Sequence, residues 1–447
     1  MPESVMRVKV FNQLSNNPKY TKTLQWVKLV SVTGFAQVFV QAVSLFSGIL
    51  VIRMLQPEEY ALYTLANTML GTMTVLADGG ISTGVMSQGG KVWQDRDQLG
   101  TVLATGMDLR RKFAVGSLLV SIPVLIYLML HHGASWLMSV LIVLSLIPSF
   151  FMALSGTILQ IAPKLRQDIA PLQKNQVYMN LGRLVLLALT IFIFPFAFVA
   201  VLAAGLPQIW GNMNLRKISS GYADWHKKPD PAIRQNIMKM VRRLLPMGIY
   251  TCLSGQITIW LISIFGTTKG VAQLGALDRL SMALSFITIV FGTVILPRFS
   301  RLPNNKALLM RRFVQIQGGL LAMGVCIVFT AWLFSAQILK ILGPNYSNLT
   351  NEVVLKITIS CLGIIAASTF SLFTSRSWAI NPFISIPVSI ASIALGVAFI
   401  DVSSLRGVLF MNIMIQLIQV VMNVSYTFLK ISKTNNSLPT ENNKETI

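Results

Sequence analysis

Residues 177–214 read VYMNLGRLVLLALTIFIFPFAFVAVLAAGLPQIWGNMN, and Arg183 is the one charged residue among them. A membrane-spanning helix needs about 20 apolar residues, so this stretch is too long for one span and short for two. Near its middle stands Phe194-Pro195-Phe196. Proline cannot donate to the helix ladder and clashes with the preceding turn, so the spacing predicts two helices, 177–194 and 196–214, joined by a tight hairpin. The choice between one helix and two sets the sidedness of everything that follows.

Charge decides it. Working outward, the apolar spans are 29–52, 60–86, 113–131, 135–160, 177–194, 196–214, 244–265, 269–297, 313–334, 351–374, 379–400 and 404–429. With both termini inside, thirty of the 37 Lys and Arg residues fall in inside segments. Arg53, Lys269, Lys340 and Arg406 fall outside, and Arg183, Arg279 and Lys356 lie within spans. Basic residues concentrate in cytoplasmic loops. Reading 177–214 as one span would send the basic segments 215–243 and 298–312 to the outside, so two spans and cytoplasmic termini are expected.

Composition agrees. Of 447 residues 53% are hydrophobic and 12% charged, against about 25% charged in a soluble domain. The mean hydropathy is +0.64. These values exclude a soluble enzyme, a disordered chain and a soluble domain on a single anchor. They leave an all-α polytopic membrane protein of about twelve spans. A net charge of +22 in a soluble protein would suggest nucleic acid; here the basic loops account for it, and no nucleic-acid partner is expected. Cys252, Cys326 and Cys361 lie in apolar runs without ligand spacing, so they read as packing residues, with no metal, cofactor or disulfide framework implied. The N-terminal residues lack the short apolar core and small-residue cleavage site of a signal peptide.

The expected organisation is a basic cytoplasmic segment (1–28), a first six-helix lobe (29–214), a cytoplasmic linker (215–243), a second lobe (244–429) and a disordered polar tail (430–447). An offset of 211 residues superposes Pro57–Tyr63 on Thr268–Leu274 and pairs spans 1 and 2 with spans 7 and 8. Transporters built of such repeats bind substrate between the halves. Asp95 and Asp97 have D-x-D spacing, but in a short inside loop, and read as solvated charges. No Walker A motif occurs, so the chain carries no ATPase signature of its own.

Three segments resemble a known family. Arg53-Met54-Leu55-Gln56-Pro57-Glu58-Glu59-Tyr60-Ala61-Leu62-Tyr63-Thr64-Leu65-Ala66 is similar to the "R-x-L-G-P-E-x-Y-G-L-Y-x-L-A" stretch of polysaccharide transporters. Leu76-Ala77-Asp78-Gly79-Gly80-Ile81 resembles their "L-x-D-L-G-L", and Leu342-Gly343-Pro344-Asn345-Tyr346 their "G-x-x-Y". Gln56 and Ala61 stand where glycine is usual, and Gly79-Gly80 replaces Leu-Gly. The resemblance is to the Wzx-type O-antigen flippase branch of the multidrug/oligosaccharidyl-lipid/polysaccharide exporter superfamily. It implies a V-shaped, two-lobed transporter, not an enzyme, in the bacterial inner membrane. Such a protein flips an undecaprenyl-pyrophosphate-linked oligosaccharide, among membrane lipids and with a polysaccharide polymerase as an optional neighbour.

In that family spans 1, 2, 7 and 8 line the cavity, which directs attention to their polar faces. Span 1 carries Thr33, Gln37, Gln41, Ser44 and Gly48; span 2 carries Asn67, Gly71, Thr74 and Asp78; span 8 carries Asp278, Ser281, Ser285, Thr288 and Gly292. Steps of three and four put each set on one helix face. Span 12 has a similar stripe, Asn412, Gln416, Gln419 and Asn423, which packing within its own lobe would explain. Arg279 lies about ten residues, roughly 15 Å, into span 8, and is the first candidate for a phosphate contact; pairing with Asp278 or Asp78 is the structural alternative. The cavity candidates are Arg279, Arg53, Gln37, Gln41, Asn67 and Asp278. Arg53 also suits an interfacial anchor, and snorkelling explains Arg183 and Lys356. Asp78 is a candidate for ion coupling, or a cap beside Gly79-Gly80. His131 and His132 read as outer surface residues. A cation-coupled drug exporter is the alternative, although span 1 lacks an acid; a polymerase is disfavoured by the short outer loops.

Overall fold

The computed structural model describes residues 18–433 apart from Arg301, Ser377, Ala379 and Asn381. The remainder of the expected N-terminal segment and of the tail lies outside the described residues. All regular structure among the described residues is helical. Eight helical segments are long and apolar enough to cross a membrane. No water is available in a bilayer core to satisfy an open backbone, so helices carry the chain across.

The first half is α1 (Pro18–Met54), α2 (Pro57–Asp78), α3 (Ile81–Gly89), α4 (Arg96–His131), α5 (Trp136–Leu159), the short α6 (Ile161–Leu165), α7 (Ala170–Ile193) and α8 (Ala197–Ser220). The second half is α9 (Pro231–Phe265), α10 (Thr268–Met282), α11 (Ser285–Val290), a π-helical turn (Phe291–Ile295), α12 (Leu296–Ser300), α13 (Lys306–Leu333), α14 (Ser335–Leu342), α15 (Thr350–Thr374), α16 (Pro382–Phe399) and α17 (Leu405–Ser432). Counting α2 with α3, and α10 with α11 and α12, as single broken rods, and leaving out the short α6 and α14, gives six rods in each half among the described residues. The hairpin at Pro195 forms as expected. The Ala197 amide that opens α8 donates to the Glu59 carboxylate at 2.7 Å, tying the hairpin to the start of α2.

The structure corrects the inside segments. Much of what reads as loop is helix: 96–112 belongs to α4, 215–220 to α8 and 231–243 to α9. Caps explain where two of these begin. Asp95 is not a free surface charge but accepts from the Asp97 and Gln98 amides at 2.9 and 3.0 Å. Asp230 accepts from the Ala232 and Ile233 amides at 2.6 and 3.1 Å, with Pro231 at the first helical position. Both are favourable N-terminal arrangements. Hydropathy follows the bilayer, and these helices run past it.

Spans 2 and 8 are broken. Gly79 and Gly80 have φ of 49° and 91°, in the region where only glycine is unstrained. Span 8 breaks after Met282 and again at the π turn beginning at Phe291. Phe291 stands 211 positions after Gly80, the offset that relates the halves. The breaks divide the core. The buried residues Tyr60 through Ala77 and Val271 through Leu277 join one cluster shared by both halves. Beyond the first break, Ile81 and Val85 join Leu99, Leu103, Ile237 and Val241. Beyond the second, Phe291 and Phe299 join Leu309, Phe313 and Leu372.

The connection after α8 is pinned to the first half. The Asp224 amide donates to the Arg96 carbonyl at 3.1 Å, the Asp230 amide donates to Thr105 Oγ1 at 2.9 Å, and Lys227 pairs with Asp97 at 2.9 Å. The contact at Gly100 is close enough that a Cβ there would lie 2.0 Å from the Asp224 carbonyl oxygen. Backbone cannot yield as a side chain can, and overpacking of this kind costs about 1–3 kcal/mol. Gly100→Ala is therefore expected to loosen residues 221–230 and to speed tryptic cleavage after Lys227 by about ten- to a hundredfold. An unchanged cleavage rate would show that this contact does not hold the segment.

Candidate substrate site between the halves

α2 and α10 meet where Gly275 has no side chain: a Cβ there would lie 2.5 Å from Thr64 Oγ1. This close approach buries Tyr60 and Tyr63, whose rings stack with centroids 6.0 Å apart. Their hydroxyls are shut away from solvent and lack a formed hydrogen bond among the described residues. Two cations stand beside them, Arg279 of α10 at Tyr60 and Arg183 of α7 at Tyr63. Arg279 donates from Nη1 to Met282 Sδ at 3.6 Å. It lies along Gly48 of α1, where a Cβ would sit 3.0 Å from its Cδ. The guanidinium stands beside Tyr60, three residues into α2.

Neither expected partner neutralises Arg279. Asp278 forms an ion pair with Lys356 of α15 and adds only a lesser field at Arg279. Asp78 forms an ion pair with the buried Arg110 and accepts from Ser82 Oγ at 2.5 Å and from the Ser82 amide at 3.2 Å. Arg110, expected in an inside loop, is 2% exposed. Among the described residues neither Arg183 nor Arg279 belongs to an ion pair. Lys356 and Arg183 thus do not snorkel: one is paired and the other faces Tyr63. A periodic signal marks Arg183 in the sequence. Gln173, Gln176, Asn180 and Arg183 step by three, four and three along α7, one polar face.

That face receives α1. Gln37 Nε2 donates to Gln176 Oε1 at 3.0 Å and to Gln173 Oε1 at 3.2 Å, and Ser44 Oγ donates to Asn180 Oδ1 at 3.3 Å. Gln37 therefore bonds within its own half. Gln41 crosses to the other half, donating to Ser285 Oγ at 2.6 Å and to the Met282 carbonyl at 3.3 Å, at the break between α10 and α11. Asn67 donates to the Tyr63 carbonyl one turn back at 2.8 Å. The span 12 stripe packs within the second half, with Asn412 on Thr258 and Asn423 on the Ala366 carbonyl. The Thr33 and Cys252 side chains lie outside the described residues.

Arg53 closes the end above this site. Its Nε donates to the Ile341 carbonyl at 2.8 Å and its Nη2 to the Lys340 carbonyl at 2.6 Å. A cation on the last carbonyls of α14 is a favourable helix C-terminus, so Arg53 latches the halves. His132 is a second latch and not a free surface residue: Nδ1 lies 3.0 Å from Thr268 Oγ1 and Nε2 2.9 Å from Ser263 Oγ.

By sequence, no family model and no curated protein matches the chain. By structure, an inward-facing multidrug-resistance MATE transporter of the MOP superfamily superposes with a TM-score of 0.68 at 14% identity, covering 89% of this chain and 94% of that one. The lipid II flippase MurJ, in an inward closed conformation, superposes with a TM-score of 0.68 at 13% identity, covering 90% of this chain and 89% of that one. The chain shares the fold of these two proteins. An outward-facing MATE transporter superposes less well, with a TM-score of 0.60 at 15% identity over 91% and 95% of the two chains. The Arg53 and His132 contacts join the two halves at one end.

Burial holds the His132 imidazole below its ordinary value, and the neighbouring His131 adds to this while the Ser263 contact opposes it. A histidine lowered in the folded state gives stability that is present above the ordinary value of about 6.5 and is lost as pH falls through the lowered one. The latch is thus strongest at neutral pH. The Tm difference between the wild type and His132→Ala is expected to be largest above pH 7 and to shrink toward about pH 5. A difference independent of pH would rule out titration of His132. Lys356→Ala leaves the half-exposed Asp278 carboxylate without its cation, so a loss of about 1 kcal/mol is expected in denaturation, largely recovered in Asp278→Asn/Lys356→Ala.

Proposed function

We propose that the chain flips an oligosaccharide carried on undecaprenyl pyrophosphate from the cytoplasmic to the periplasmic leaflet of the bacterial inner membrane. The observation that carries this reading is the pair Arg183 and Arg279, two guanidinium groups without carboxylate partners at the interface of the halves. An unpaired cation in the membrane is costly and marks function. Planar guanidinium groups match phosphate oxygens with two bonds at once. A pyrophosphate bridging α7 and α10 would supply the missing charge and couple the halves. The amides and hydroxyls of Gln41, Ser285, Asn180 and Gln37 are suited to sugar. Beside them an apolar gap of about 550 Å³, lined by Phe35, Phe39, Val177 and Tyr178, could receive a lipid tail.

The basic ends of the helices support a reading with both termini in the cytoplasm. The latched end then faces the periplasm, and the arginines lie at the top of a route entered from the cytoplasm. Transport requires the halves to part at Arg53 and His132 while closing below, the alternating access of repeat-built transporters. MurJ, which shares the fold, is a flippase for a lipid-linked substrate. A cation-coupled exporter is less well supported, because Asp78, the deep acid of the first half, is already committed to Arg110 and Ser82.

Hydrogen bonds to charged groups are worth about 1.5–3 kcal/mol, so Arg279→Ala and Arg183→Ala are each expected to lower transport about ten- to a hundredfold at normal protein abundance. Lipid-linked oligosaccharide should accumulate on the inner leaflet, and Arg279→Lys should retain part of the activity. Wild-type export by both Arg279→Ala and Arg279→Glu would overturn the phosphate role. An unchanged lipid-linked pool in a deletion strain would overturn the flippase reading.

A further inference from the structure

We infer that the first half carries a second site, separate from the central one, for the headgroup of an anionic phospholipid. A cavity of about 460 Å³ lies among α4, α5, α8 and the connection that follows α8. Met107, Met152 and Met213 give it an apolar lining, to which Arg111, Arg216 and Trp225 also belong. The other charges of the lining are already neutralised. Asp108 pairs with Lys112 at 2.9 Å, and Lys227 with Asp97 at 2.9 Å and Asp224 at 4.0 Å. Arg111 and Arg216 form no ion pair and no side-chain hydrogen bond among the described residues. Two exposed cations therefore line an apolar pocket with no anion assigned to them.

Depth identifies the ligand. Along α4 the charged run Arg110-Arg111-Lys112 gives way to Phe113 and an apolar stretch, and along α8 the apolar stretch ends just before Arg216. Both arginines thus stand at the boundary of the hydrocarbon layer. Trp210 is exposed one turn from Met213, and tryptophan gathers at that boundary. Cationic pockets between membrane helices at this depth suit acidic lipid headgroups. A soluble anion would gain nothing from the methionine lining, whereas a phosphodiester with its first acyl carbons satisfies both surfaces. Trp225 and Pro229 belong to the connection between the halves and also line the cavity, so an occupied site would fasten that connection to the first half.

The test is a titration of the full-length protein, in neutral detergent, with short-chain phosphatidylglycerol, phosphatidylcholine or inorganic phosphate, read by calorimetry. Phosphatidylglycerol is expected to bind at least about tenfold more tightly than phosphatidylcholine. A basic residue near an acidic lipid surface is worth about fivefold in affinity, so Arg111→Gln and Arg216→Gln should each weaken phosphatidylglycerol about fivefold, and the double variant about 30-fold. Both side chains are exposed, and an unchanged lipid-free Tm verifies that the variants fold. Lys217→Gln, next in the chain but outside the cavity, should bind as the wild type does. Equal binding of the two lipids, an unaffected double variant, or an equal loss in Lys217→Gln would overturn the site. Inorganic phosphate binding as tightly as phosphatidylglycerol would make it a site for a soluble anion and overturn the lipid assignment.

Discussion

A guanidinium group held between membrane helices must find negative charge, and this chain is poor in it. Fifteen acidic residues serve 37 basic ones, and the deep carboxylates are committed: Asp78 to Arg110, Asp278 to Lys356, and the buried Glu352 to Arg406. Each pair joins two helices and fixes their depth. Breaking such a pair strands a charge in a poorly solvated place. Arg183 and Arg279 stand apart from this scheme, at the faces where the halves meet. The ion pairs form a scaffold, and Arg183 and Arg279 lie outside it.

What was legible in the sequence follows from what is local. The hairpin at Pro195, the twelve apolar spans and the polar stripes rest on proline chemistry, helix period and bilayer thickness, all of which act within one segment. Pairings across the fold leave no such mark. Arg110 reads as a loop cation because it follows the apolar part of no span, yet α4 begins at Arg96 and carries it inward to Asp78. Arg53 reads as a cavity residue or an anchor because the α14 carbonyls it caps are nearly three hundred residues away. His132 reads as surface because its hydroxyl partners lie in the other half. The α7 face from Gln173 to Arg183 has a regular period, but its weight depends on α1 and Tyr63 packing against it.

The broken rods bear on how such a structure could move. Each half contributes one rod cut at the same position of the repeat, at Gly79-Gly80 and at the π turn from Phe291. In each, the piece before the cut belongs to the largest core and the piece after it to a separate one, with α3 packing on Ile237 and Val241 of α9 and the second rod on Leu309, Phe313 and Leu372. Glycines at positive φ and π turns are places where a helix bends. A bend there lets α2 and α10 part, or move as a pair, while α3 and α12 keep their neighbours. Arg279 is three residues from the end of α10, and Gln41 holds the carbonyl of Met282, that last residue. Arg279 and Gln41 thus meet beside the earlier break of this rod, after Met282, and α11 separates them from the π turn.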